Sequence, residues 1–207
     1  MALAAYTDIE TWIGKVFDSA RQAEVTNCIA FAQSWIANQA GLRSLEKESA
    51  EVTIRADGAS LWNPEEFWMP SSCRPSWHTG SDVYTVTENG STLSVVNGYS
   101  STASVVLSGA NSLDRARLFR PGGWAYSPSL PNNISVACKC GFDSSMTAST
   151  NPLPADVKRL VMEVAWAMLN GAQRTGKSST SKAGTSVSIN DDLSPAAVST
   201  LDWLRGI

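Results

Sequence analysis

NPLPADVKRLVMEVAWAMLNG, residues 151–171, is the segment on which the reading of the fold turns. Pro154 suits the first turn of a helix, where its missing N–H forfeits no bond. Asp156 follows closely, and a carboxylate there favours the positive end of the helix. Val157, Leu160, Val161, Val164, Ala165 and Met168 recur at spacings of three and four, which makes one apolar stripe. Asn170-Gly171 reads as the C-terminal stop. The preceding chain is expected to pack onto this helix and the following chain to leave it.

Working outward, two helices are expected near the N-terminus. Residues 7–17 form a short one, capped by Thr7 or Asp8 with Glu10 near N3, and striped by Ile9, Trp12, Ile13 and Val16. Residues 19–39 form a longer one after an Asp18-Ser19 restart. Its apolar positions are Val25, Cys28, Ile29, Ala32, Trp35 and Ile36, and Gly41 ends it. From residue 44 the period changes to alternation. SLEKESAEVTIRADG leads to an Asp57-Gly58 turn, and LWNPEEFWMP, with its prolines, suits an edge strand or an extended loop. Asn89-Gly90 and Asn97-Gly98, flanked by β-branched runs, are hairpin signals. Residues 116–143 add about two more strands by the same reading.

Residues 144–150 are polar and return the chain to the helical part. After the organising helix comes TGKSSTSKAGTSVSINDD, which holds too little apolar surface to fold alone. Ser194 as N-cap and Pro195 at N1 then open a final helix with Val198, Leu201 and Leu204 on one side. It is too short to stand alone and needs a surface to dock on.

The expected fold class is therefore α+β. A core of long antiparallel helices carries an inserted antiparallel β-sheet or open-barrel unit, and an extended C-terminal arm ends in a short helix. The expected divisions are 1–43 for the N-terminal helices of the helical core, 44–143 for the β domain, 144–171 for the return helix, and 172–207 for a flexible loop and docking arm.

Composition narrows the function. A hydrophobic fraction of 43% and eight Trp residues among 207 support a real core, whereas charged residues reach only 17%, below the usual quarter. Such a surface suits a chain that covers itself with copies or partners. A net charge of −3 without any basic run argues against nucleic acid as a bound target. No apolar run approaches bilayer-spanning length. The start, MALAAYTDIETW, lacks a basic n-region and carries acids early, so it does not read as a signal peptide. The four cysteines, Cys28, Cys73, Cys138 and Cys140, are then expected as reduced thiols. On a strand, Cys138 and Cys140 share a face. A zinc site recruiting Cys73 and His78 is disfavoured, because the Cys-x-Cys spacing is tighter than a zinc knuckle; buried small side chains are the better account.

Gly171 to Ser178, GAQRTGKS, matches the P-loop pattern. A working P-loop follows a buried strand and opens a helix, so that backbone N–H groups and the Lys meet phosphate. Here the motif follows a helix and runs into SSTSKAGTS, so a loop is the favoured reading. His78 is the only histidine, and no serine sits in a nucleophile elbow, which leaves no triad. Glu65 and Glu66 on an extended run face opposite ways. Trp62, Phe67, Trp68, Trp77 and Trp124 are read as core and subunit contact in preference to a sugar- or base-stacking platform. No catalytic, cofactor or metal site is expected.

The order of elements, with SARQAEVTNCIAFAQSWIANQAG (19–41), NPLPADVKRLVMEVAWAML (151–169) and LSPAAVSTLDWLRGI (193–207), resembles the head–tail connector, or adaptor, proteins of tailed bacteriophages. The resemblance covers both helical parts and is weaker across 44–143. It implies a structural virion protein and not an enzyme, made in the host cytoplasm and placed at the head–tail interface. Helical cores would pack side by side into a ring, commonly of twelve copies. The ring would join the portal to a downstream neck or tail protein and continue the DNA channel, with DNA passing unbound and no membrane involved. The resemblance assigns portal docking to Val198, Leu201, Trp203 and Leu204. It assigns ring packing to Val25, Ile29, Trp35, Ile36, Leu160, Val164 and Met168. The competing readings are a stopper or tail terminator, a P-loop NTPase and a carbohydrate-binding module.

Overall fold

The computed structural model describes residues 2–54, 66–74, 84–97, 103–108, 116–124, 133–147, 152–175 and 193–206. It is a mixed α+β structure in two compact units. One comprises Met1–Gly41, Asp143–Ala148 and Pro152–Ile207, the other Leu42–Phe142 and Ser149–Asn151.

The first unit carries the helices α1 (Tyr6–Ile13), α2 (Ser19–Gln39), α3 (Ala155–Thr175) and α4 (Pro195–Arg205). In α3 the residues from Leu160 to Ala165 are all buried, so there the helix is covered on every side, beyond the single stripe its sequence advertises. Its neighbours are α2, α4 and α1. The Pro154 carbonyl accepts the first helical bond, from Lys158 N–H at 3.1 Å. The expected stop at Asn170-Gly171 is overturned, because α3 runs on to Thr175. An interior glycine weakens a helix by about 1 kcal/mol without breaking it, and Ala172, Gln173 and Arg174 are good helix formers.

The α2 boundaries follow from the expected signals. The Asp18 carboxylate accepts Arg21 N–H at 2.8 Å, and Gly41 takes the left-handed conformation, φ 64°. In α1 the start is earlier than expected. Ala5 is the N-cap and Asp8, not Glu10, reaches back to the Ala5 N–H at 2.8 Å. Gly14, at φ 69°, closes the helix after Ile13, which leaves Val16 outside it and 89% exposed. A buried Gln33 amide oxygen on α2 accepts Leu3 N–H at 2.7 Å, and Lys158 of α3 pairs with Asp8 of α1 at 2.8 Å.

The second unit holds two four-stranded sheets where one sheet or an open barrel was expected. The first runs β1 (Glu48–Ile54), β8 (Ile134–Cys140), β3 (Thr85–Glu88), β4 (Ser91–Leu93). The second runs β2 (Glu66–Trp68), β7 (Arg117–Phe119), β6 (Val105–Ser108), β5 (Val95–Asn97). Asn89 and Gly90, both at positive φ, close the β3–β4 hairpin as the sequence predicts. Among the described strands β2 stands at a sheet edge, the position expected for the proline-flanked run LWNPEEFWMP. Asn97-Gly98 does not close a hairpin, for β5 and β6 are parallel. The chain passes from one sheet to the other at Ser94. Its carbonyl accepts Val105 N–H and its hydroxyl accepts Ser104 N–H, both at 2.9 Å. These bonds start β6 beside the beginning of β5, so the two run in one direction. The Asp57-Gly58 turn lies outside the described residues. Along β8, Ile134, Val136, Cys138 and Cys140 face the core, with Leu107, Leu118 and Val86 among their neighbours.

Candidate functional site

The residues of the nucleotide-like motif are resolved as far as Thr175, and Gly171–Thr175 is the last stretch of α3. A helix there leaves no phosphate-cradling turn; the remainder of the motif lies outside the described residues. Among the described residues no group of three or more His, Cys, Asp or Glu is arranged to hold a metal ion; His78 is outside them. Of the aromatic set, Trp124 is buried and meets Phe67 edge-on at 6.2 Å, so both serve the β core. Trp68 is exposed beneath the Arg117 guanidinium. Glu66 pairs with Arg117 at 2.8 Å. Trp62, Glu65 and Trp77 lie outside the described residues.

Among the described residues, the surface of the helical unit carries the remaining expected site residues. α4 does not leave α3 but returns to pack on it and on α2. Ser194 caps it, accepting Ala197 N–H at 3.2 Å, with Pro195 at N1. Leu201 and Leu204 are buried in the unit, whereas Val198 and Trp203 are exposed. The four docking residues expected from sequence are thus split between the inner and outer sides of one helix. Two polar fastenings hold it. Glu163 of α3 is buried and accepts Arg159 Nε–H at 2.8 Å and Ser194 N–H at 3.1 Å. Burial pushes its carboxyl up, but hydrogen bonds from Ser194 and Arg159 outweigh burial and hold it below the usual carboxylate value. At the other end Arg205 donates to the Gln39 carbonyl and side-chain oxygen, each at 3.1 Å.

The seven ring-packing candidates divide likewise. Val25, Ile29, Ile36, Leu160 and Val164 are buried within the unit. Trp35 and Met168 are only partly covered and line an open groove of about 680 Å³ together with Cys28 and Phe31; Glu24, Asn27, Ser34 and Asn38 supply its polar lining. Phe31 is 68% exposed. The expected apolar positions, Val25, Cys28, Ile29, Ala32, Trp35 and Ile36, did not include it. The available signal was its spacing of three from Cys28 and four from Trp35, a second apolar stripe beside the first.

No protein-family model matches the chain. No curated protein matches it either. Among solved structures it is similar to a chain of the "Virion of native gene transfer agent (GTA) particle", with a TM-score of 0.51 and 15% identity over 91% of this chain and 82% of that one. It is also similar to a chain of the "Neck of empty GTA particle computed with C6 symmetry", with a TM-score of 0.49, 15% identity and the same coverage. At this identity the likeness to the virion chain is one of fold.

Proposed function

We propose that the chain is a structural virion protein of a phage-like particle, a head–tail connector (adaptor) that joins the portal to the tail. The observation that carries this reading is the fold shared with a virion chain along 91% of the sequence. Order of elements and composition support it independently. Copies assemble side by side through their helical units into a ring, commonly of twelve, which continues the DNA channel and meets a further neck or tail protein below. It is made in the host cytoplasm and works at the head–tail interface of the virion.

Exposed apolar side chains support the choice of contacts, since contiguous apolar surface marks interaction sites. The ring contact is the groove of Phe31, Trp35, Cys28 and Met168. Val25, Ile29, Ile36, Leu160 and Val164 act indirectly, by holding the helices that present it. A groove that meets a different surface of the next copy makes a head-to-tail contact, which closes into a ring when the rotation allows. Portal docking falls to Val198 and Trp203, on the outer side of α4, while Leu201 and Leu204 keep that helix in place. A net charge of −3 per copy gives a mildly negative assembly that offers DNA few counterion-releasing contacts.

The test is sedimentation of the purified full chain, alone and mixed with portal rings, for the wild type and for Trp203→Ala. The expected result is comigration of the wild type with the portal and its loss in the variant. Assembly on tail-tube protein with no affinity for the portal would overturn the connector reading in favour of a stopper or terminator.

A further inference from the structure

The helical unit presents a second exposed apolar feature, apart from the groove, where α1 passes into α2. Trp12, in the last turn of α1, is 42% exposed, and Val16, in the link that follows, is 89% exposed. The link is pinned on both sides of Val16. Lys15 N–H donates to the Glu10 carbonyl at 3.1 Å, and Phe17 N–H donates to the Glu10 carboxylate at 2.7 Å. The Phe17 carbonyl accepts the Gln22 side-chain N–H at 3.1 Å, and the Phe17 ring stacks on Trp166 of α3 with centroids 6.4 Å apart. The backbone around Val16 is thus fixed while its side chain stands in solvent. A segment fixed before binding loses little freedom when a contact forms. Link and groove lie on different flanks of the unit. Successive residues of an α-helix turn by about 100°, so Trp166, against the link, and Met168, in the groove, leave α3 about 200° apart.

We propose that the knob formed by Trp12 and Val16 of one copy seats in the α2 groove of a second copy, against Phe31 and Trp35. The proposal rests on the reading of the groove as the ring contact and names the surface that fills it. A head-to-tail contact joins two different surfaces of one subunit, and a ring places them on opposite flanks, as knob and groove are. Their shapes correspond, for one protrudes and the other is an open apolar groove of about 680 Å³. Their charges correspond as well. The knob carries Lys15, which is exposed, while the nearby carboxylates of Glu10 and Asp18 already accept Phe17 N–H and Arg21 N–H. The one charged side chain lining the groove is Glu24. It pairs with Arg21 at 2.6 Å and is still 46% exposed, so its carboxylate can take Lys15 of the neighbouring copy as a second cation. Opposite charges at the rim fix the register of such a contact more than its strength.

The test is cross-linking between copies. Cys28 lies in the groove, and the other three thiols are buried, so Val16→Cys adds one reactive thiol on the knob. The full chain carrying it, alone and on portal rings, is treated with a short bismaleimide. The expected result is a ladder of linked multimers on denaturing gels, absent from the wild type, with position 16 of one copy joined to Cys28 of another by peptide mapping. Charge reversal is the second measurement. Lys15→Glu should weaken self-association by about tenfold, and adding Glu24→Lys should restore it. Wild-type multimers linked Cys28 to Cys28 would mean that groove meets groove and would overturn the proposal. If Phe31→Asp blocks assembly while Val16→Asp does not, the groove remains the ring contact and the pairing alone fails. If the wild type assembles in neither sample, the ring reading falls and the pairing with it.

Discussion

Glu163 lies among apolar neighbours on a fully covered stretch of α3, yet it stays ionised because its partners donate to the charged form. Replacing it with Gln keeps the shape and removes the charge. Hydrogen bonds to a charged group contribute about 1.5–3 kcal/mol, so Glu163→Gln should lower stability by that order at neutral pH. The sign of the pH dependence follows. A carboxyl held below its unfolded value stabilises fully above that value, and the contribution is lost as pH falls through the folded one. The gap between wild type and variant, read from denaturation midpoints across pH, should therefore be wide at pH 7 and close in acid. A gap that persists in acid would contradict the charge assignment. Gly141 makes a different demand. It sits at φ +91°, and a Cβ there would lie 2.1 Å from the Glu46 carbonyl oxygen, beside the bridge between Glu46 and Phe142. Both the backbone strain and the clash act on Gly141→Ala, which should cost about 3 kcal/mol or more. A midpoint unchanged by the substitution would refute that account.

At the scale of one element, α4 shows how a helix divides its residues. Leu204→Ala removes a fully buried side chain and should cost about 2–5 kcal/mol. Trp203→Ala removes a larger side chain from an exposed position and should change stability within about 0.5 kcal/mol. Thermal melts of the two variants check the contrast, and equal losses would place Trp203 in the core. The sequence contained the start of this helix, because Ser194 and Pro195 are local signals, and the same is true of Asp18 and Gly41 around α2 and of Asn89-Gly90 between β3 and β4. It did not contain what depends on distant partners. Leu201 and Leu204 read as a docking stripe, but nothing local says that the surface they dock on is α3 of the same chain. The parallel run of β6 beside β5 arises from bonds that Ser94 makes to Ser104 and Val105, which no dipeptide rule anticipates. Phe31 was legible from its spacing of three from Cys28 and four from Trp35, at the edge of the stripe, but its 68% exposure was not.

For the whole molecule the decisive quantity is what the groove contributes when copies meet. Phe31 touches little within its own chain, so Phe31→Asp should leave the melting temperature of the isolated protein almost unchanged. In an interface the same side chain is an aromatic anchor, and losing such an anchor costs about 2 kcal/mol or more, roughly a thirtyfold weakening of each contact. In the ring proposed above that contact would recur at every junction, so the losses would accumulate and closure would fail before the single contact is abolished. Sedimentation velocity over a range of concentrations should show the wild type moving from monomer to a closed oligomer of fixed size, and Phe31→Asp remaining monomeric throughout with unchanged helical content. Val25→Ala is the necessary contrast, for it thins the core beneath the groove and should reduce stability and assembly together. If Phe31→Asp assembles as the wild type does, the groove is not the ring contact. The exposed apolar side chains around Trp12 and Val16 would then be the surface to test next.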